Sequence, residues 1–127
     1  LYGEGFDYDP PGITMPAIYL HPLNGQITDY PADREHLETV LSGLARGNQE
    51  LGIPQLNDDD FLFIWTFDLG GHESEGSSVV NLCLMDNKVI YDWELADMLR
   101  QINSQKKVVW MQQCFSCGFI DDIEALH

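Results

Sequence analysis

The side chains of this chain best suited to chemistry sit in "WMQQCFSCGF", Trp110 to Phe119, where Cys114 and Cys117 lie three positions apart at the end of a hydrophobic run. A thiol does chemistry as a nucleophile, as half of a redox dithiol or as a metal ligand. The nucleophile needs a base brought in from elsewhere, and the four histidines are His21, His36, His72 and His127. A redox dithiol of this spacing normally opens a helix, and Phe115-Ser116 between the cysteines with Gly118 after them disfavour a helix start. Structural zinc needs two further ligands at comparable spacing, whereas Cys83 and the histidines are scattered, so no metal is expected. The acidic stretches "DYDP" and "NDDD" invite calcium, but neither carries the glycine and glutamate of an EF-hand loop, and solvated turns explain them.

The elements that must position these residues can be read from hydrophobic period. Within "PADREHLETVLSGLARG", Leu37, Val40, Leu41 and Leu44 fall at i, i+3, i+4 and i+7, which predicts an amphipathic helix between Pro31 and Gly47. "DWELADMLRQINS" repeats the spacing with Leu95, Met98, Leu99 and Ile102, with Asp92 as its expected N-cap. "FLFIWTF", Phe61 to Phe67, and "VVWM", Val108 to Met111, are short, aromatic and β-branched, and read as strands buried on both faces. On that reading Trp65 and Trp110 are core residues. "PAIYL" with Asn24-Gly25, and "VNLCLMDNKVIY" with Asp86-Asn87, read as hairpins, with Cys83 in the apolar face of the second. "LYGEG" resembles the tail of a further strand, and "GGHESEGSS" is read as a connection.

The order of elements predicts an α/β domain over residues 1–127 whose two central strands run parallel through a helical crossover. Ligands bind beyond the carboxyl ends of such strands. Here those ends are "DLGGHES" and "QCFSCGF", so a histidine and a cysteine could meet across one rim.

Twenty-one acidic residues against six basic ones give a net charge of −15, with Lys106-Lys107 as the only basic cluster. Nucleic acid and anionic membranes are therefore not expected partners. No run approaches the ~18 apolar residues of a membrane span. Three cysteines argue against a disulfide-stapled fold and leave the compartment open. Leu1 is not an initiator Met, which fits a processed or trimmed chain.

A hydrophobic strand ending in Asp-His-Gly-Gly, a hairpin and helix, and a strand ending in Gln-Cys-Phe-Ser-Gly-Gly-Phe are the pattern that "NDDDFLFIWTFDLGGHESEG", "LCLMDNKVIYDWELADMLRQI" and "VVWMQQCFSCGFIDDI" resemble. The family is that of the legumain-type cysteine peptidases of the caspase, gingipain and legumain superfamily, particularly their bacterial relatives. The resemblance implies a three-layer caspase-like (caspase-hemoglobinase) sandwich with a mainly parallel central sheet, here without some N- and C-terminal elements. It implies peptide-bond hydrolysis by a Cys/His dyad, a peptide or protein substrate, no cofactor, and further segments of the same precursor as partners.

By that resemblance Cys114 matches the nucleophile, and Gly70, with Cys114 itself, supplies the oxyanion donors. Two positions depart from the pattern. Leu69 stands where the family has histidine, and Cys117 where it has glycine. Leucine cannot take a proton, and a general base is worth ~10²- to 10⁴-fold. His72, three residues on, is the nearest substitute base, and its other reading is a surface-loop histidine. Two functions stay open: a cysteine peptidase impaired or rescued at its base, and a non-catalytic relative that binds peptides or a partner chain on the same rim.

Overall fold

The computed structural model describes residues 29–125. "LYGEG", "DYDP", the hairpin expected around Asn24-Gly25, His21 and His127 lie outside the described residues.

Helix α1 (Arg34–Arg46) begins where Asp33 caps it, its carboxylate accepting from the His36 backbone N–H at 2.9 Å, and ends at Gly47, whose φ of 79° suits glycine. Leu37, Leu41 and Leu44 of the expected stripe join the core. Strand β1 (Phe61–Thr66) follows, then the short β2 (Gly70–His72), β3 (Val80–Cys83) and β4 (Val89–Tyr91), helix α2 (Asp92–Arg100), β5 (Lys106–Met111), a 3-10 turn (Ser116–Phe119) and the single-turn helix α3 (Ile120–Glu124).

Strands β1 and β5 pair in parallel, from Phe61 opposite Lys106 to Thr66 opposite Met111. β5 starts two residues before its apolar run because Lys106 and Lys107 fall in register with Phe61 and Leu62. The hairpin at Asp86-Asn87 forms as expected between β3 and β4, closed by Leu84 N–H to Lys88 O at 2.9 Å, with Asn87 at a φ of 58° supplying the left-handed residue the loop needs.

The described residues form a mixed α/β structure, as expected, with two sheets, β1-β5 parallel and β2-β3-β4 antiparallel. Three expectations are corrected. "GGH" is a strand added to the hairpin and not part of a connecting loop, because Gly70, Gly71 and His72 register against Leu82, Asn81 and Val80. Asp92 does not cap α2 from outside: it is the first helical residue, 4% exposed, and its carboxylate accepts from the Val80 backbone N–H at 3.0 Å. Glu94 instead receives the N-cap N–H of Tyr91 at 3.0 Å.

The third correction concerns the parallel pair, which among the described residues is covered on one face only. Leu62, Ile64, Val109 and Met111 pack on the core, whereas Phe61, Phe63, Trp65 and Trp110 alternate with them and are exposed. Trp65 and Trp110 are 63% and 59% exposed, so neither is a core residue among the described residues. A continuous apolar run does not distinguish two covered faces from one covered and one aromatic face.

The core runs from Leu41 through Leu62, Leu82 and Ile90 to Leu95, Leu99, Ile102 and Phe119, so it joins both sheets to the helices. Arg34 fastens the outside of this join. Its guanidinium donates to Glu94 Oε1 and Oε2 at 2.5 and 3.1 Å, to Val89 O at 2.8 Å and to Glu38 Oε1 at 2.7 Å. No helix among the described residues is long and apolar enough to cross a membrane.

Candidate functional site

The parallel register brings the carboxyl ends of β1 and β5 together, and side chains then lock them. Thr66 Oγ1 donates to Gln113 Oε1 at 2.7 Å, Trp65 Nε1 donates to Gln112 Oε1 at 2.7 Å, and Gln112 N–H donates to Thr66 O at 2.9 Å. Gln113 is 5% exposed, and its buried Nε2 has no hydrogen-bond partner among the described residues. Cys114 follows as an exposed free thiol.

Phe115 then turns the chain with φ 61° and ψ 14°, a left-handed conformation that bulky residues rarely hold and that costs about 1–3 kcal/mol. The 3-10 turn behind it carries Cys117 and Gly118. A Cβ on Gly118 would lie 2.6 Å from Val80 Cγ2, so glycine there lets the turn seat against β3.

β2 is laid against this loop from the other side. A Cβ on Gly70 would stand 2.1 Å from Cys114 O, 2.9 Å from Gln113 Cγ and 3.1 Å from Asn81 O, a space that only glycine fits. The hydrogen bonds Cys83 N–H to Leu69 O and Glu73 N–H to Val79 O make Leu69–Cys83 and Glu73–Val79 bonded pairs. In an antiparallel ladder bonded and non-bonded pairs alternate, so the N–H groups of Gly70 and His72 point away from β3. Gly70 therefore keeps a donor on the side of β2 away from β3 that no described residue accepts.

His72 ends β2. Its Nδ1 lies 2.6 Å from Ser74 O, and because a carbonyl only accepts, Nδ1 is the donor of that bond, which leaves Nε2 as the ring nitrogen not engaged by Ser74. The ring meets Phe115 edge to face with centroids 5.2 Å apart, which places His72 beside the residue that follows Cys114. No hydrogen bond joins His72 to Cys114 among the described residues. Leu69 is 62% exposed, and its contribution to the ladder is the carbonyl that Cys83 N–H reaches.

The other thiols differ from Cys114. Cys117 lines a groove of about 520 Å³ under β5 with Val109, Met111, Phe119 and Ile123. Cys83 is half-buried, and burial, then the negative charge of Asp68, pushes its thiol up and away from the reactive thiolate. No group of three or more His, Cys, Asp or Glu side chains among the described residues is arranged to hold a metal ion.

The structure thus brings Gly70 and His72 to the Cys114 loop. Three contributors were not legible beforehand: the Thr66–Gln113 hydrogen bond, the Ser74 carbonyl and the left-handed Phe115. Only the first had a signal, in two polar residues at the ends of two apolar strands.

No family model matches the chain, and no curated protein or solved structure matches it.

Proposed function

We propose that the chain is a cysteine endopeptidase-like domain of the legumain type, built on a caspase-like sandwich, in which Cys114 is the nucleophile and His72 takes the role of the histidine that Leu69 replaces. The observation that carries this reading is the seating of Gly70 on the Cys114 backbone, with His72 two residues along β2 and its Nδ1–H held by Ser74 O.

In the mechanism that follows, His72 Nε2 takes the Cys114 proton and the sulfur attacks the scissile carbonyl. The N–H of Gly70 and the N–H of Cys114 face the oxyanion. His72 returns the proton to the leaving amine, and water, deprotonated by the same nitrogen, releases the acyl group from sulfur. Ser74 O stabilises the imidazolium formed between these steps. Hydrogen bonds between nucleophile and base commonly tighten when substrate binds. The strained Phe115 supports the reading as well, since backbone strain of this kind clusters at active sites.

A second reading is favoured by the exposure of Leu69. With Phe67 and Phe115, also exposed, it gives the rim an apolar surface where the base would be, suited to holding a peptide without cleaving it.

Alkylation with iodoacetamide, followed by mass spectrometry, separates the two. Under the peptidase reading Cys114 is modified faster than Cys117 near neutral pH, and His72→Ala removes the difference. Equal slow modification of both thiols in the unaltered protein rules the dyad out. Leu69→His should raise peptide hydrolysis if the base is the weak point, and no gain would favour the binding reading.

A further inference from the structure

The two strands that lead to the candidate site change character at the same level. The core-facing positions of β1 are Leu62 and Ile64, and the next is Thr66. Those at the end of β5 are Val109 and Met111, and the next, two residues past the strand, is Gln113. Alternation along an extended chain returns every second residue to the same face, so continuing either apolar stripe calls for another apolar side chain. The chain places a hydroxyl and an amide there instead, and the two meet: Thr66 Oγ1 donates to Gln113 Oε1 at 2.7 Å.

Stability does not explain the choice. Replacing both partners of a hydrogen bond by apolar groups of the same shape is nearly neutral or stabilising. Valine has the shape of threonine and methionine the length of glutamine, so that pair would fill the same space and extend the contacts of Ile64 and Met111. What it would not supply is direction. Methionine adapts freely about its bonds, whereas an amide held at Oε1 restricts the Gln113 side chain and with it the chain that leads into Cys114. On the preceding side Gln112 N–H donates to Thr66 O at 2.9 Å, so Thr66 grips this segment by one backbone and one side-chain bond. The Gln113 stem also borders the close approach at Gly70, where an added Cβ would lie 2.9 Å from Gln113 Cγ and 2.1 Å from Cys114 O. Gln113 therefore touches both pieces that carry the candidate dyad, the Cys114 loop and the strand of Gly70 and His72.

We propose that Thr66 and Gln113 are positioning residues, whose mutual hydrogen bond aims the Cys114 thiol at His72 and the Cys114 N–H at the oxyanion. This inference rests on the peptidase reading of Cys114 and His72. Neither Thr66 nor Gln113 touches the reacting atoms; both act through Cys114.

The test follows iodoacetamide alkylation of each thiol by mass spectrometry, together with urea unfolding, in the full chain. Three forms are compared, each with and without His72→Ala: the unaltered chain, Thr66→Ser, and the double variant Thr66→Val with Gln113→Met. Thr66→Ser keeps the donor and should keep the lead of Cys114 over Cys117. The double variant should hold its urea midpoint within about 0.5 M or raise it, while Cys114 slows by at least about ten-fold, towards the rate of Cys117. Adding His72→Ala to the double variant should change nothing further, because the base is no longer addressed, whereas in the unaltered chain it removes the lead of Cys114. A double variant in which Cys114 keeps its lead overturns the proposal and leaves the peptidase reading standing. A double variant that fails to fold, or whose midpoint falls further than that, makes the pair a structural bond and overturns the proposal as well. Equal slow alkylation of Cys114 and Cys117 in the unaltered chain overturns the peptidase reading and this inference with it.

Discussion

Replacing Gly70 by alanine perturbs fold and site at one atom. The added Cβ would sit 2.1 Å from Cys114 O, whereas an ordinary carbon–oxygen contact is about 3.3 Å, so β2 and the Cys114 loop must separate by about 1.2 Å. The loop cannot yield freely, because Gln113 is fastened to Thr66 and Gly118 is seated on Val80. Overpacking of this kind costs about 1–3 kcal/mol. Taking about 2 kcal/mol and a urea dependence near 2 kcal/mol/M, the unfolding midpoint should fall by about 1 M. Alkylation of Cys114 should fall to the rate of Cys117 as the Gly70 donor and His72 move away. Gly71→Ala is the control: its nearest neighbour is the movable Asn81 side-chain oxygen at 3.3 Å, and its midpoint should stay within about 0.3 M. An unchanged midpoint together with unchanged Cys114 alkylation in Gly70→Ala would refute the close approach on which the site rests.

Two further expectations concern other links. The Glu94 carboxyl is held below its ordinary value by the Arg34 hydrogen bond, against the opposing effect of burial, so its stabilisation is present above the unfolded-state value and lost as pH falls through the lower folded value. Glu94→Gln should therefore cost about 2 kcal/mol at pH 7, with the gap to the unaltered protein closing below about pH 4 in denaturant titrations, and a constant gap would show that the ion pair is not its source. At Phe115, Gly should be more stable than Ala by about 1 kcal/mol, the reverse of the usual order, because the φ of 61° favours glycine; parallel melting curves of Phe115→Gly and Phe115→Ala decide it.

Local signals carried much of the fold. The apolar stripe of α1, with Gly47 at its end, and the Asp86-Asn87 turn depend on neighbours in sequence, and these elements formed as expected, although α1 starts three residues after Pro31. What depended on distant partners was not legible. Asp92 looked like a cap because its attraction to Val80 N–H, twelve residues away, has no local signature. Gly70–His72 looked like a loop because two glycines have little strand propensity, and only registration against β3 makes them a strand. Trp65 and Trp110 looked buried because an aromatic strand with one open face has the composition of one with none. At the site, Cys114 could be singled out from its place after an apolar strand, whereas the orientation of the His72 ring depends on Ser74 O and on the path the chain takes after β2.

Arg34 has a consequence for chain connectivity. Its bonds to Val89 and Glu94 span 55 and 60 residues, and Met85 N–H to Ala32 O spans a similar distance. The partners on the far side, β3, β4 and α2, contact one another over short separations and can assemble with small loop-closure cost. Helix α1 is anchored on the surface that this unit presents. The contacts that hold α1 are therefore the ones that close the longest loops among these elements.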